Sequence, residues 1–337
     1  MELVRTNSPY WPSVIEHVPG LRAAFRLAPY LVNLWRAMGR AQVVHVLANS
    51  GWAWHFLAAP ALLIAKWRGV PAIVNYRGGL ADEFFVRAPN YVLRMLGSAN
   101  QRVTPSGFLV RVFRKHGLSA DVIPNVVDLS RFQAVSHRSD QAQPHLIVTR
   151  NLEAIYDIPT ALHAFAKVRE QHPGARLTVA GSGPELKVLR QLAVSMGVAD
   201  VVHFAGRIDN ADIAKLYADA DLVLNPSTAD NMPNSILEAL ASGVPVVSTN
   251  AGGIPDLVED GRTALLVPVG DADAMASAAL RLLADPSLRA QLSQQGQQEV
   301  TRYAWPQVRV QWQRAYARAA RASAHLPPHG HTPSVPR

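Results

Sequence analysis

The chain has 337 residues, 49% of them hydrophobic and 17% charged, with a formal net charge of +8 and no cysteine. That length suits two domains, the composition excludes a disordered protein, and the missing thiols exclude disulfides and thiolate metal sites while permitting a reducing compartment. The positive charge is confined to the first part: residues 1–135 hold 15 Lys and Arg against 6 Asp and Glu. Such a balance would suit nucleic acid, anionic lipid or an acidic substrate, but no zinc finger or aromatic RNA-binding strand accompanies it, so nucleic acid is set aside. Met1–Tyr10 lacks the apolar core of a secretory signal, and the nearest apolar run, Leu57–Ile64, is too short to span a bilayer. A cytoplasmic protein is expected.

Taken from the N-terminus, Glu2–Thr6 reads as a strand. Gly20–Arg40 places Leu21, Phe25, Leu31, Leu34, Trp35 and Met38 among Arg22, Arg26, Arg36 and Arg40. A basic amphipathic segment of this kind suits peripheral attachment to an anionic membrane surface at its inner face; the competing reading is an ordinary helix packed on a sheet. Pro29 is expected to break or kink it. Val43–Leu47, Ala72–Tyr76, Gln101–Thr104 and Asp121–Ile123 follow as strands, and residues 1–133 read as one domain. Ala134–Pro144 is polar and aperiodic, and reads as a linker.

In residues 145–302 the alternation is more regular. Strands at His145–Arg150, Arg176–Gly181, Val201–Gly206, Asp221–Asn225, Pro245–Thr249 and Ala264–Pro268 are separated by helical patterns at Thr160–Gln171, Pro184–Met196, Asn210–Ala218 and Asn234–Ser242. Short apolar strands alternating with amphipathic helices indicate a parallel sheet covered on both faces. The fold class is therefore α/β, with two doubly wound, Rossmann-like parallel-sheet domains. A closing helix lies within residues 303–323, and 324–337, with four prolines, is expected to be a disordered tail. A doubly wound domain normally opens with a buried strand and a glycine-bearing turn. Here the chain opens on ELVRTNSPYWP, so the first domain is expected to be short by one strand-loop-helix unit of roughly 30–50 residues.

The densest chemistry lies in residues 225–253, NPSTADNMPNSILEALASGVPVVSTNAGG. Strand, polar loop, helix and strand in succession place a loop and a helix N-terminus at the carboxyl edge of a parallel sheet, where such folds bind ligands. Asp230 falls in the loop and Glu238 one turn into the helix. The backbone N–H groups of Asn231, Met232, Asn234 and Ser235 are expected to point into the same space, which suits a phosphate.

Pro226, Ser227, Glu238, Ala239, Gly243, Val244, Pro245, Val246, Val247, Gly252 and Gly253 resemble the signature of the family 4 retaining glycosyltransferases, the glycosyl transferases group 1. The resemblance implies the GT-B architecture, two domains facing a cleft, and transfer of a hexose with retention. The donor would be a nucleotide diphosphate sugar, the acceptor a glycan or a lipid-linked glycan, with no cofactor and no metal. It implies that Asp230 contacts hydroxyls of the transferred sugar and that Glu238 holds the nucleotide ribose; most of the family has Glu at the first of these positions. Gly181 and Gly183, in Ala180–Glu185, resemble the G-x-G-P turn lining the nucleotide pocket. They lack the third glycine and the following acid of a dinucleotide site. Arg207 and Ile208 resemble the segment whose backbone holds the base. A plain tight turn is the alternative for both.

Arg150 resembles the arginine of the family's G-R-L-x-x-x-K pattern, which would neutralise the diphosphate leaving group. The partner lysine is missing, and Tyr156 stands nearest in register. Arg77, followed by Gly78 and Gly79, occupies the place where many relatives carry His. A guanidinium cannot act as a base, but it can bind phosphate or face the acceptor. Val103–Ser106 and Ile123–Asp128 resemble two further landmarks of the family. Asp219-Ala220-Asp221 mimics a metal-binding D-x-D but reads as a solvated junction, and His325, His329 and His331 lack partners at ligand spacing. No general base is nominated, since front-face attack lets the departing phosphate draw the acceptor's proton. The rival readings are a non-catalytic sugar-nucleotide-binding protein, an inactive shortened transferase, and an epimerase of the same architecture.

Overall fold

The computed structural model describes residues 2–6, 21–133, 143–209 and 211–324, with backbone alone for 21–26 and 322–324. Most of the expected linker, the tail with its three histidines and the side chains of Arg22 and Arg26 lie outside that description. The chain divides into two compact units: Met1–Pro105, Val110–Ile123 and Val310–Arg337 form one, Ser106–Leu109 and Pro124–Arg309 the other. The division falls at Ile123–Pro124, ahead of the boundary at 133 read from composition.

In chain order the first unit holds α1 (Leu21–Met38), β1 (Val44–Ala48), α2 (Ala59–Trp67, entered through a π-helical turn at Trp54–Ala58) and β2 (Ala72–Tyr76). Then come α3 (Ala81–Arg87), α4 (Tyr91–Ser98), β3 (Gln101–Thr104), α5 (Gly107–Lys115) and β4 (Asp121–Val122). The strands are parallel in the order β1-β2-β3-β4, with Val44 opposite Ala72 and Ile73 opposite Gln101. β2 is buried along its whole length, as its near-continuous apolar sequence requires. Tyr76, Phe85 and Phe113 pack with ring centroids 5.3 to 5.5 Å apart, tilted or edge-on.

One expectation for this unit fails. Glu2–Thr6 is not a strand; Glu2 meets the chain through an exposed ion pair, 3.0 Å from Arg40 Nη2, which supplies no ladder. Of the two outcomes expected at Pro29, a break does not occur: α1 runs through it for 18 residues. An interior proline costs ~3 kcal/mol. Beyond it Tyr30, Leu34, Ala37 and Met38 are all buried, and the Tyr30 hydroxyl donates to the Leu57 carbonyl at 2.9 Å. Tertiary packing offsets the broken ladder.

The second unit continues with β5 (His145–Val148), α6 (Ile158–Gln171), β6 (Arg176–Ala180), α7 (Leu186–Ser195), β7 (Val202–Gly206), α8 (Ile213–Ala218) and β8 (Leu222–Asn225). After them come α9 (Asn234–Ala241), β9 (Val246–Thr249), α10 (Ile254–Leu257), β10 (Leu265–Val267), α11 (Ala272–Ala284) and α12 (Pro286–Val300). α13 (Trp305–Ala324) closes the chain; its residues from Val310 on belong with the first unit, where Trp312 lies 4.7 Å from His45 and Arg318 pairs with Asp121 at 3.0 Å.

The six strands are all parallel, in the order β10-β9-β8-β5-β6-β7. Alternate residues feed opposite cores: Leu146 and Val148 of β5 pack with α6, α7 and α11, while Ile147 packs with Tyr217 of α8 and Ile236 and Leu240 of α9. From β5 the chain winds outward through β6 and β7, then returns to lay β8 on the other side of β5. That reversal leaves a crevice outside the carboxyl ends of β5 and β8. Among the described residues no helix is long and apolar enough to cross a membrane.

Candidate functional site

The crevice between β5 and β8 is where the strongest sequence candidates meet. Arg150 lies two residues beyond β5, and Asp230 lies in the loop between β8 and α9. Their side chains form an ion pair, both nearly buried, at 11% and 13% exposure. Arg150 Nη1 also lies 3.3 Å from the Ser235 hydroxyl in the first turn of α9, and its guanidinium stacks 4.0 Å over the ring of Tyr156. Its Nε is buried without a partner. Asp230 further accepts from the Asn231 N–H at 2.8 Å, so that N–H is not free, contrary to expectation. Burial pushes the Asp230 carboxyl above its ordinary pKa, against the pull of Arg150 and the Asn231 N–H.

Glycines explain how two loops come so close. A Cβ on Gly181 would lie 1.9 Å from the Arg150 carbonyl oxygen, and one on Gly183 would lie 2.2 Å from that of Leu152. Across the crevice, a Cβ on Gly252 would sit 2.1 Å from the Asp230 oxygen and one on Gly253 2.0 Å from that of Asn231. Two glycine pairs therefore press backbone on backbone, one against each segment that carries a charged partner. No side chain fits at any of the four positions without moving the site.

Glu238 sits in the second turn of α9, half-buried. The Tyr217 hydroxyl from α8 is 3.0 Å from its Oε2, 3.1 Å from the Ser235 carbonyl and 2.7 Å from Thr149 Oγ1. Burial and the neighbouring Glu238 push the Tyr217 phenol well up, so it stays protonated and donates. Burial likewise raises Glu238, while Tyr217, Arg131 and Arg150 draw it down. α9 begins behind Pro233 with no side-chain cap, and an uncapped helix start favours an anion. Asn231 receives the Ser106 hydroxyl on Oδ1 and keeps a buried, unpartnered Nδ2.

The remaining candidates divide. Met232 is buried in the core, where its Sδ accepts the Asn125 N–H at 3.2 Å and its carbonyl the Asn125 side-chain amide at 2.8 Å. Asn234 is exposed and also accepts from Asn125, at 2.9 Å. Gly181 N–H donates to the Gly206 carbonyl at 2.8 Å, tying the first glycine turn to the segment that ends in exposed Arg207 and half-buried Ile208. Arg77, Gly78 and Gly79 follow β2 in the first unit. There Arg77 N–H donates to Ala48 O at 2.9 Å, and a Cβ on Gly78 would meet the side chains of Asn49 and Ser50 at 2.6 Å. Asp82 is engaged by Lys115 at 2.6 Å and His116 at 2.8 Å. Asp219 and Asp221 both anchor His145, Asp221 by accepting its N–H at 2.7 Å, as a junction would. No group of three or more His, Asp or Glu gathers as a metal-holding cluster among the described residues. Sequence reading missed Tyr217 and Thr149. An aromatic inside an apolar helix reads as core, and only the position of its hydroxyl shows otherwise.

Residues 130–299 match the family model described as glycosyl transferases group 1. A GDP-mannose-dependent alpha-(1-6)-phosphatidylinositol monomannoside mannosyltransferase of Mycobacterium tuberculosis is 33% identical over 279 residues, covering 74% of this chain and 70% of the relative. An N-acetyl-alpha-D-glucosaminyl L-malate synthase of Bacillus anthracis is 33% identical over 160 residues, 48% of this chain, which spans only 41% of that relative's length. Among solved structures, sucrose-phosphate synthase of Thermosynechococcus elongatus superposes with a TM-score of 0.75 at 21% identity, covering 91% of this chain and 81% of the other. Anabaena HepE in complex with UDP and glucose gives 0.73 at 20% identity, covering 92% and 84%. These likenesses establish the two-unit, Rossmann-like GT-B fold.

Proposed function

Because the chain belongs to the glycosyl transferases group 1 family, we propose that it moves a hexose from a nucleotide diphosphate sugar to a glycan or lipid-linked acceptor, with retention and without a metal. The observation that carries this reading is the Arg150–Asp230 pair at the β5/β8 crevice, beside the uncapped start of α9 and Glu238. In this reading the donor's diphosphate lies against the Arg150 guanidinium and the first turn of α9. Charge developing on the leaving phosphate is met there by donors already in place, in a nearly dry site. Asp230, exchanging part of its hold on Arg150 for sugar hydroxyls, orients the transferred hexose. Glu238, fixed by Tyr217, accepts from the ribose hydroxyls. Gly181, Gly183, Arg207 and Ile208 border the nucleotide, and the Asn231 Nδ2 is a further donor for sugar or phosphate. Arg77, Gly78 and Gly79 belong to the acceptor or phosphate side. The departing phosphate takes the acceptor's proton, so no side chain need act as a base.

One observation favours a second reading, binding without transfer: Tyr156, not a second cation, stands on Arg150. Incubation with UDP-, GDP- and ADP-hexoses and candidate glycans, with chelator present, separates the two. The transferase reading expects nucleoside diphosphate release and a product whose anomeric proton matches the donor's configuration. Donor binding with no product from any pairing would leave the second reading standing, and an inverted product would overturn retention.

A further inference from the structure

The first unit carries a feature that the donor site does not use. Between α1 and α2 runs an apolar groove of about 410 Å³, lined by Leu31, Val32, Trp35, Leu63 and Trp67, with Arg36 at its rim. Its volume lies in the range of small-molecule sites. Its walls are not covered: Trp67 is 68% and Trp35 44% exposed. Two further exposed aromatics lie at the entry to α2, where Trp52, 74% exposed, stacks on exposed Phe56 with centroids 5.6 Å apart. Phe56, Leu63 and Trp67 recur at near-helical spacing, so they share one face. An apolar groove walled by exposed tryptophans marks an interaction site and not a solvated helix.

Charge says what covers it. Residues 17–81 contain seven Lys and Arg and not one Asp or Glu. Arg36 lines the groove and Lys66 precedes Trp67 in the chain, both exposed, and Arg68 lies 4.3 Å over the Trp35 ring while donating to the Trp35 carbonyl at 3.1 Å. Tryptophans at the boundary, cations around them and an apolar slot between two helices match the three layers of an anionic bilayer surface: glycerol region, headgroups and acyl chains. A second copy of the chain would bring like charge against like charge.

We propose that the α1/α2 groove seats an acyl chain of an anionic membrane lipid and so docks the first unit on the bilayer surface. The proposal is independent of the donor site and survives or falls without it. The test is sedimentation of the full chain with phosphatidylserine-containing and pure phosphatidylcholine vesicles, combined with tryptophan quenching by lipids brominated on the acyl chain. Expected are binding that favours the anionic vesicles, quenching by acyl bromine, and release by half-molar salt, which shortens the Debye length to a few ångströms. Leu63→Ser with Trp67→Ser should weaken partitioning about tenfold or more while leaving the melting temperature and donor affinity unchanged. Arg36→Gln with Lys66→Gln should weaken it on the anionic vesicles alone, about fivefold per charge. No binding to either vesicle would overturn the proposal. So would binding without acyl quenching that ignores the Leu63/Trp67 change, and so would self-association in the ultracentrifuge that this change abolishes.

Discussion

Both sheets are parallel, and both deliver an arginine just past the carboxyl end of a strand, with a glycine turn close by. What surrounds the two arginines differs. At Arg150 the neighbouring glycines meet backbone: Gly181 would strike the Arg150 carbonyl and Gly253 that of Asn231. At Arg77 the neighbouring Gly78 would strike first the side-chain oxygens of Asn49 and Ser50, at 2.6 Å, with the Ser50 backbone nitrogen farther off at 3.2 Å. Backbone held on backbone cannot give way, so the second unit presents a fixed constellation. In the first unit the closest atoms are two side-chain oxygens, held by the Ser50 N–H and the Tyr76 hydroxyl, so that contact yields at the cost of two hydrogen bonds before the backbone must move. A fixed site suits the common part of a family's chemistry, and an adaptable one suits whatever varies.

The largest effect should come from the charge at the fixed site. Arg150→Gln is expected to lower kcat by about 10²–10³, the loss seen when one preorganised donor to a developing anion is removed. Since it also strands Asp230, the double change with Asp230→Asn keeps the test readable: it should restore the melting temperature but not the turnover. Next, Gly253→Ala should cost about 10²-fold in turnover, because relieving the contact displaces Asn231 and Asp230 by a fraction of an ångström or more. Gly78→Ala, whose closest neighbours are side-chain oxygens, should cost less than about tenfold in the same assay. Equal losses would erase the distinction between the two sheets.

Acidity gives the comparison a sign. In the first unit, burial and Arg77 lower His45 to about 4. Its stability contribution is therefore present above the unfolded value near 6.5 and is lost as pH falls toward 4. Denaturation midpoints should report a loss of about 2 kcal/mol between pH 7 and pH 5 that His45→Gln abolishes. In the second unit, burial raises Asp230 and Glu238. Their contribution is fully present below the unfolded carboxyl values and is lost as pH rises through the raised ones. Glu238→Gln should accordingly raise the melting temperature at neutral pH, with the gain vanishing near pH 4, where the unfolded carboxyl is itself largely protonated. A gain that persists in acid would point to packing.

Much of this architecture could be read from the chain. The strands of the second unit fall within two residues of expectation, because apolar, β-branched runs bounded by Gly, Pro or Asp admit few alternatives. Spacing and resemblance also singled out Asp230, Glu238, Arg150, Gly181 and Gly183, and the fold brings these candidates to the edge of one crevice. Where tertiary contacts outweigh local preference, reading fell short: it left open whether Pro29 would break α1, which packing carries past it, and Glu2–Thr6 has strand-like residues but no ladder partner among the described residues. α2 was missed since it is apolar on nearly every side, which hides the helical period. α11 and α12 went unread although their caps are plain, with Asp271 accepting from Ala274 and Asp285 from Ser287 and Leu288. Tyr217 could not have been found, because its role depends on one oxygen atom at the end of a buried ring. The exposed face of the α1/α2 groove was half visible in the basic, Trp-bearing segment; the contribution of Leu63 and Trp67 needed the fold.

The central claim is that the β5/β8 crevice holds a nucleotide diphosphate sugar by Glu238. Calorimetric titration of UDP-, GDP- and ADP-sugars into the wild type and Glu238→Gln, with chelator present, tests it most directly. Loss of one charge-assisted hydrogen bond of roughly 1.5–3 kcal/mol should weaken the accepted donor about 10- to 150-fold. Unchanged affinity in the variant for every donor that the wild type binds would contradict the assignment.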